Sequence, residues 1–467
     1  MSPAAWAGAE VGGASRGDRR RTRRLVMLLS EAAARPDTGL AAACASPAAT
    51  KAAYRFLAND AIAAEDILAA HVATTIERLG AEPLILALQD TTALDCSAHP
   101  ALAGAGPLAH PHQTGLWVHS VRAVSSDGVP LGLLHQHRGA RDPAKLGQHH
   151  QRRQRPTAAK ESQRWLDAQA ATAAVVPAAV AVVTVADREA DIFDLFAQDR
   201  PPQHDLLIRA VHNRRIREET RSLWTAARAA PGGEVAPGAV GRGGERPPRE
   251  ALLLVRWTAV TLEPPRHRSD RAALAPAPVT AILAEEPVPP AGAPPICGLL
   301  LTTRPVANGE AALGCVRWYA QRWRVERLHY TLKSGCQIEA RQLRATTRLE
   351  RALAVYAIVA WRLLWLTYLG RAELEQPCTA ALTATEWQVL FRTRYPAPPL
   401  PAPPPPLGQA VRWLARLGGI HDRVGDGPPG VKVLWRGWRR LDDLVFGWRL
   451  AHNLSPNPLS LRVVGNA

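Results

Sequence analysis

The chain has 467 residues, 47% of them hydrophobic, and carries 57 Lys and Arg against 41 Asp and Glu for a formal net charge of +16. That length accommodates two to four domains, and the positive surplus favours a polyanionic partner, most simply nucleic acid. The six cysteines are scattered with no C-x-x-C pair, which argues against a zinc site and a disulfide framework and fits a reducing cytoplasm. No secretory signal is evident. Neither apolar run is convincing as a membrane span: residues 170–186 contain Pro177, and residues 352–361 stop at Arg362. The expectation is a soluble cytoplasmic protein that works on DNA and has no membrane partner.

Residues 1–75 read as helical and basic. The arginine-dense segment of residues 15–24 is followed by Leu25, Leu28 and Leu29 at helical spacing, and a second helix carries Lys51, Tyr54, Arg55 and Phe56. Such helices can sit on DNA phosphates. From residue 83 the pattern turns to strands. Residues 84–88 are a continuous apolar run that ends at Asp90. Residues 116–124 and 129–135 flank an Asp127-Gly128 hairpin signal, so three strands form a meander. The basic stretch 135–155, with His135, His137, His149 and His150, reads as a solvated loop rather than a metal site because its spacing is poor.

Residues 160–174 then look helical, with Trp165 on the apolar side. Residues 178–185 form a buried strand that ends at Asp187, the edge where α/β sheets usually place ligands. Glu189 and Asp191, in the following turn, are explained as partners of a helix dipole. Another strand covers residues 205–211. Residues 216–300 carry short Val and Leu runs with many Gly and Pro and no helical period, and read as an all-β insertion. One long helix is expected over residues 309–333 and another over 349–371. A proline-rich linker at residues 396–407 precedes a small helical C-terminal domain. The fold class expected is α/β, with domains at 1–75, 76–370 and 371–467.

Three carboxylates stand out. Burying Asp90, Asp187 and Glu326 together is unfavourable unless a divalent cation holds them. At 100° per residue from Tyr319, Arg322 falls at about −60°, Glu326 at about −20° and Lys333 at about −40°, so the four share one helix face. That face offers a carboxylate for a metal and two cations for phosphates.

The spacing Y-x2-R-x3-E-x6-K formed by Tyr319, Arg322, Glu326 and Lys333 resembles the signature of bacterial DDE transposases of the insertion-sequence-four group, to which the transposase of transposon five belongs. Gln89-Asp90-Thr91-Thr92 resembles the first Asp motif and Asp187-Arg188-Glu189-Ala190-Asp191-Ile192 the second. Gly17-Asp18-Arg19-Arg20, Tyr54-Arg55-Phe56-Leu57, Leu283-Ala284-Glu285-Glu286, residues 299–302 and residues 425–432 also match, so the resemblance spans roughly residues 15–447.

This resemblance implies a ribonuclease-H-like catalytic core with a β insertion. It also implies an N-terminal helical domain for transposon-end DNA and a C-terminal helical dimerisation domain. Asp90, Asp187 and Glu326 would be catalytic and bind Mg²⁺, with Mn²⁺ as a substitute. Tyr319, Arg322, Lys333 and Arg209 would contact terminal phosphates, and Arg24 and Arg55 would contact end DNA. Two Mg²⁺ ions would serve strand nicking, second-strand release and attack of a 3′-hydroxyl on target DNA. The partners implied are double-stranded DNA with terminal inverted repeats, target DNA and a second protomer in a synaptic complex associated with the nucleoid. Relatives commonly place a Trp where this chain has Gly298, which implies either that base extrusion and hairpin processing are weakened or that support for the extruded base falls to another aromatic such as Trp257. Two other readings share much of this pattern: a ribonuclease-H-like nuclease without strand transfer, and an inactive transposase-derived DNA-binding protein.

Overall fold

The computed structural model describes residues 3–13, 18–44, 46–110, 112–145, 156–240, 249–266, 268, 270–372, 374–421, 423 and 429–453. Residues 15–17 of the arginine-dense segment, His149, His150 and residues 425–428 of the 425–432 motif lie outside the described residues. The chain forms two compact units. One comprises residues 1–56, 334–337 and 355–467; the other comprises residues 57–333 and 338–354.

The first unit is helical. Its N-terminal part holds α1 (Pro3–Val11), α2 (Arg19–Ala34), α3 (Leu40–Ala43) and most of α4 (Pro47–Leu57). Asp18 caps α2 by accepting from the Arg20 amide at 2.8 Å, which lets a run of arginines begin a helix without an unsatisfied first turn.

The second unit opens with α5 (Ala64–Leu79) and then builds one large sheet. Its strands and helices in chain order are β1 (Leu84–Asp95), β2 (Gly106–Pro107), β3 (Thr114–Ser125), β4 (Pro130–Gly139), α6 (Gln163–Val175), β5 (Ala181–Ala186), α7 (Phe193–Ala197), β6 (His204–Arg209), α8 (Leu223–Ala229), β7 (Glu234–Val240), β8 (Arg249–Leu262), β9 (Ala277–Glu285) and β10 (Cys297–Thr302). Then come α9 (Gly309–Ala320) and α10 (Trp323–Tyr330), followed by a π-helical turn over Thr331–Gly335. The long α11 (Thr346–Ala372) leads to α12 (Ala384–Arg394), α13 (Leu407–Leu417) and α14 (Val431–Asn453).

The sheet order is β2-β3-β1-β5-β6-β10-β9-β8-β7, with β4 also paired to β3. β1, β5 and β6 run parallel, and β3 and β4 extend β1 as an antiparallel meander. This is a ribonuclease-H-like core. The all-apolar run of residues 84–88 suits a central strand covered on both faces, and residues 85–88 are buried. The hairpin turns at Gly128 with φ +90°. A Cβ there would meet the Arg324 guanidinium at 2.5 Å, and Arg324 Nη1 donates to the Gly128 carbonyl at 3.0 Å. Glycine is therefore required both by the backbone and by the close approach of α10.

Several expectations change. β1 continues to Asp95, so Asp90 sits in the middle of a strand and not at its end. His135 and His137 lie on β4 and not in a solvated loop, with the His137 ring 5.0 Å from that of Trp117. The segment read as an all-β insertion contains α8 and adds β7, β8 and β9 to the edge of the main sheet through β10. Local apolar periodicity missed α8 because only seven residues form it.

Asp191 does not serve a helix dipole. Its carboxylate is fully buried and accepts from the Val211 and His212 amides at 2.8 and 2.9 Å and from Arg214 Nε at 2.9 Å. Nor does the apolar run of α11 stop at Arg362, which is itself buried. The stretch Thr346–Leu369 is long and apolar enough for a membrane span, but 83% of an 18-residue window within it is buried inside the protein.

The carboxyl-terminal half of the first unit packs α12, α13 and α14 around Trp387, Leu390, Trp413, Leu414 and Trp438. A Thr383–Glu386 capping box starts α12. In the same unit the Arg362 guanidinium lies 4.4 Å from the Trp6 ring and 5.5 Å from the Trp438 ring. Burial brings its pKa down to about 10, against the opposing pull of Glu386, Glu10 and Asp442.

Candidate active site

Sheet register brings two of the three acids together. In the parallel β1–β5 pair the last partners are Leu88 and Val185; the same register carried two residues further brings Asp90 level with Asp187, whose charge acts on it. In the β5–β6 pair Ala186 lies opposite Ile208, so Arg209 comes opposite Asp187 on the other side. Ser120 lies opposite Asp90 across β3, and Gln136 opposite Ser120 across β4. Residues far apart in sequence thus form one polar row, Gln136-Ser120-Asp90-Asp187-Arg209, with neighbouring strands about 4.8 Å apart. Asp187 also caps the short turn Arg188–Ala190 by accepting from the Glu189 amide at 2.9 Å.

The third acid arrives from a broken helix. Residues 309–333 are not one straight helix. The Gln321 amide donates to the Trp318 carbonyl at 3.0 Å and the Arg322 amide to the Tyr319 carbonyl at 2.9 Å. These tighter i→i+3 bonds end α9 and restart the chain as α10. Tyr319 therefore closes one helix, Arg322 caps the next, Glu326 lies in its first turn and Lys333 in the π turn beyond. The four therefore depart from ideal 100° spacing, although the Arg322 charge still interacts with Tyr319, Glu326 and Asp90. Arg322 and Glu326 nevertheless keep their i,i+4 relation, with Arg322 Nη2 bonded to Glu326 Oε1. Tyr319 packs partly buried against the sheet cluster that contains Leu300, Ile282 and Val325. Lys333 Nζ lies 3.4 Å from Glu339 Oε1, which also accepts from the Asp95 amide at 2.9 Å.

The electrostatics tie the acids to one place. The Asp90 carboxyl is pushed up to about 7, first by burial and then by the charges of Asp187 and Glu326. Arg322 and the Thr91 amide pull the other way. The Asp90 side chain is 16% exposed and that of Glu326 52%. His329 Nδ1 lies 3.8 Å from Asp90 Oδ2, yet burial drives the His329 pKa down to about 3, so this contact is not an ion pair. Among the described residues no group of three His, Cys, Asp or Glu is gathered closely enough to hold a metal ion. The donor chemistry nonetheless suits a hard divalent cation: three carboxylates, one of which burial and its acidic neighbours make reluctant to ionise.

Gln89 and Thr91, which flank Asp90 in the first Asp motif, turn to the other side of the sheet. There they meet His119 and Arg164, which the sequence did not single out. The Thr91 hydroxyl is 2.8 Å from His119 Nδ1 and accepts from Arg164 Nε at 3.0 Å, while His119 Nε2 is 3.4 Å from Gln89 Oε1. His329 could have been found from its i+3 spacing after Glu326. Ser120 and Gln136 carry no local signal because only strand pairing brings them to the acid.

Arg24 lies half-buried on α2, and Arg55 lies exposed on α4. A Cβ at Gly298 would meet nothing within 4 Å. Trp257 faces Ile282, which faces Leu300, so it stands two ladder positions along from the row Val255-Ala284-Gly298.

Three protein families match the chain. Transposase DNA-binding matches residues 3–62, Transposase DDE domain residues 139–362, and Transposase Tn5 dimerisation domain residues 358–457. The DDE match covers Asp187, Arg209, Tyr319, Arg322, Glu326 and Lys333 and begins after Asp90, at the end of β4.

Proposed function

We propose that this Tn5-like DNA transposase cuts double-stranded DNA at terminal inverted repeats and joins the released 3′-hydroxyl to target DNA, in the manner of the insertion-sequence-four group. The observation that carries this reading is the Asp90–Asp187 alignment, with an Asp90 carboxyl raised to about 7 beside two further acids. Asp90, Asp187 and Glu326 would hold Mg²⁺, with Mn²⁺ as a substitute. A divalent cation bound there supplies Lewis-acid polarisation of the phosphate and lowers the pKa of an attacking water.

The chain's own groups do the rest. Asp90 projects from β1 and Asp187 from the turn directly after β5, and together they would fix the acidic centre. Glu326 joins them on leaving Arg322, which frees the guanidinium to grip a phosphate oxygen pair. Arg209, next to Asp187 in the row, Tyr319 and Lys333 would hold the terminal phosphates in line. Arg24 and Arg55 would hold the transposon end through its backbone, which positions the DNA without reading its sequence. The dimerisation match supports a homodimer that pairs two ends.

The test is a strand-transfer assay. Protein, Mg²⁺, DNA fragments ending in the inverted repeats that flank the coding region, and a supercoiled target plasmid are incubated together. Covalent joining of the fragment's 3′ end to the plasmid supports the proposal. Hydrolysis at the ends with no joined product would identify a nuclease without strand transfer, and binding without cleavage an inactive DNA-binding derivative.

A further inference from the structure

A chain of buried polar groups approaches Asp90 from the side opposite Asp187. Arg138, Gln136, Ser120 and His329 are all buried. Arg138 is anchored by an ion pair with Glu65, and its Nη1 donates to Gln136 Oε1 at 3.5 Å. Gln136 Nε2 donates to Ser120 Oγ at 3.2 Å. Ser120 Oγ is 3.3 Å from His329 Nε2, and His329 Nδ1 is 3.8 Å from Asp90 Oδ2.

The guanidinium fixes the direction of the first links, and the hydroxyl's single proton sets the last. A guanidinium has donors and no acceptor, so the Gln136 carbonyl must face Arg138 and its amide nitrogen must face Ser120. Ser120 accepts from that nitrogen and has one proton left to give; His329 Nε2 is 3.3 Å away, and donation to it places an N–H at Nδ1, the arrangement an ionised Asp90 favours. A neutral imidazole carries one N–H, so with Nε2 accepting, the proton sits on Nδ1. No proton transfer is involved; the relay sets orientation only.

We propose that Arg138, Gln136 and Ser120 form a directional hydrogen-bond relay that fixes the His329 tautomer, so that Nδ1–H and not a lone pair faces Asp90. His329 is then a positioning residue for a metal-holding carboxylate. The N–H dipole attracts the ionised Asp90 and favours the carboxylate orientation that a cation requires, whereas a lone pair at Nδ1 would repel it. Distances of 3.8 Å are too long for a hydrogen bond, so the effect is a dipole's orientation across a short gap in a dry site. The inference rests on the reading of Asp90 as a metal ligand.

The test reads the tautomer directly. Long-range ¹H–¹⁵N NMR of the imidazole rings, with His329 assigned by comparison with His329→Gln, is expected to show protonated Nδ1 in the full-length protein. Gln136→Glu reverses the relay: its carboxylate can only accept from Ser120, whose oxygen then accepts Nε2–H. That variant is expected to show the Nε2–H tautomer and to bind Mg²⁺, measured by calorimetry without DNA, about 10–100-fold more weakly. Ser120→Ala, which removes a single oxygen, is expected to lose the preference for Nδ1–H.

Protonated Nε2 in the unaltered protein overturns the proposal, as does an unchanged tautomer in both variants. So does a reversed tautomer with unchanged Mg²⁺ affinity when Asp90→Asn abolishes binding. If Asp90→Asn leaves Mg²⁺ binding intact, the metal assignment of Asp90 fails, and with it the positioning role of His329; the tautomer spectra then still report whether the relay exists.

Discussion

The Glu326 carboxylate is held by Arg322, one turn earlier on the same chain segment, while the Arg322 charge also acts on Asp90 across the site. One cation therefore partly neutralises two of the three acids. Arg322→Gln removes that charge and is expected to raise the Asp90 pKa above about 7. Carboxyl-detected NMR titration of Asp90 in both proteins checks this; a pKa that stays or falls refutes the assigned coupling.

Asp187→Asn removes one like charge beside Asp90. End-DNA binding should be retained, because Asp187 carries no phosphate contact in the proposed site. Cleavage with Mg²⁺ should fall by at least about 10²–10³-fold, the scale for losing one group that stabilises charge in the transition state. Gel-shift and single-turnover cleavage assays separate the two effects, and cutting at the unaltered rate would falsify the ligand assignment.

Stability without metal should depend on pH through Asp90. Its folded pKa of about 7 lies above the ordinary 3.8, so the folded state binds the proton more tightly than the unfolded state. The destabilising effect of ionisation is absent below about pH 4, grows as pH rises, and is complete above about 7. Asp90→Asn should therefore be more stable than the unaltered protein at pH 8, on the order of 1–3 kcal/mol, with the gap closing towards pH 4. Urea denaturation in EDTA at pH 4, 6 and 8 measures it. The same proton competes with metal, so Mg²⁺ affinity should fall as pH drops below about 7.

Asp191 holds the chain segment after β6 through two amides and Arg214. Asp191→Ala leaves that guanidinium, whose side chain is 10% exposed, without its carboxylate. A loss of about 3–5 kcal/mol is expected from breaking such a buried pair. Denaturant midpoints give the value, and a loss below about 1 kcal/mol would show that the clamp is dispensable.

Arg55 is exposed on α4 in the segment matched by the DNA-binding family. If it contacts one phosphate, Arg55→Ala should weaken binding evenly across DNA sequences and reduce the slope of log K against log salt by about 1. Fluorescence anisotropy at several salt concentrations tests this; an unchanged slope removes Arg55 from the interface.

Chain-local signals carried much of the architecture. Continuous apolar runs marked β1 and β5, and Asp127-Gly128 marked the β3–β4 hairpin. The motif spacing drew attention to Asp90, Asp187 and Glu326 because carboxylates at strand ends and on a cation-bearing helix have few purely structural uses. Pattern reading failed where pairing or packing overrides periodicity. Ideal helical geometry puts Tyr319, Arg322, Glu326 and Lys333 on one face, but tightened bonds at Gln321 and Arg322 and the π turn at Thr331–Gly335 change their spacing. Asp191 looked like a dipole partner because its amide donors lie some 20 residues ahead.

The amino-acid sequence by itself determined which residues are apolar, roughly where most of the main strands and helices lie, and which acids are candidates for chemistry. Those properties are local, set by hydrophobic period, capping and turn residues. Only the tertiary structure decided that Asp90 faces Asp187 and Ser120, that its carboxyl is raised to about 7, and that His329 and Gln136 stand behind it. Strand register, burial and electrostatic coupling are properties of groups brought together from distant segments, so no stretch of the chain encodes them alone.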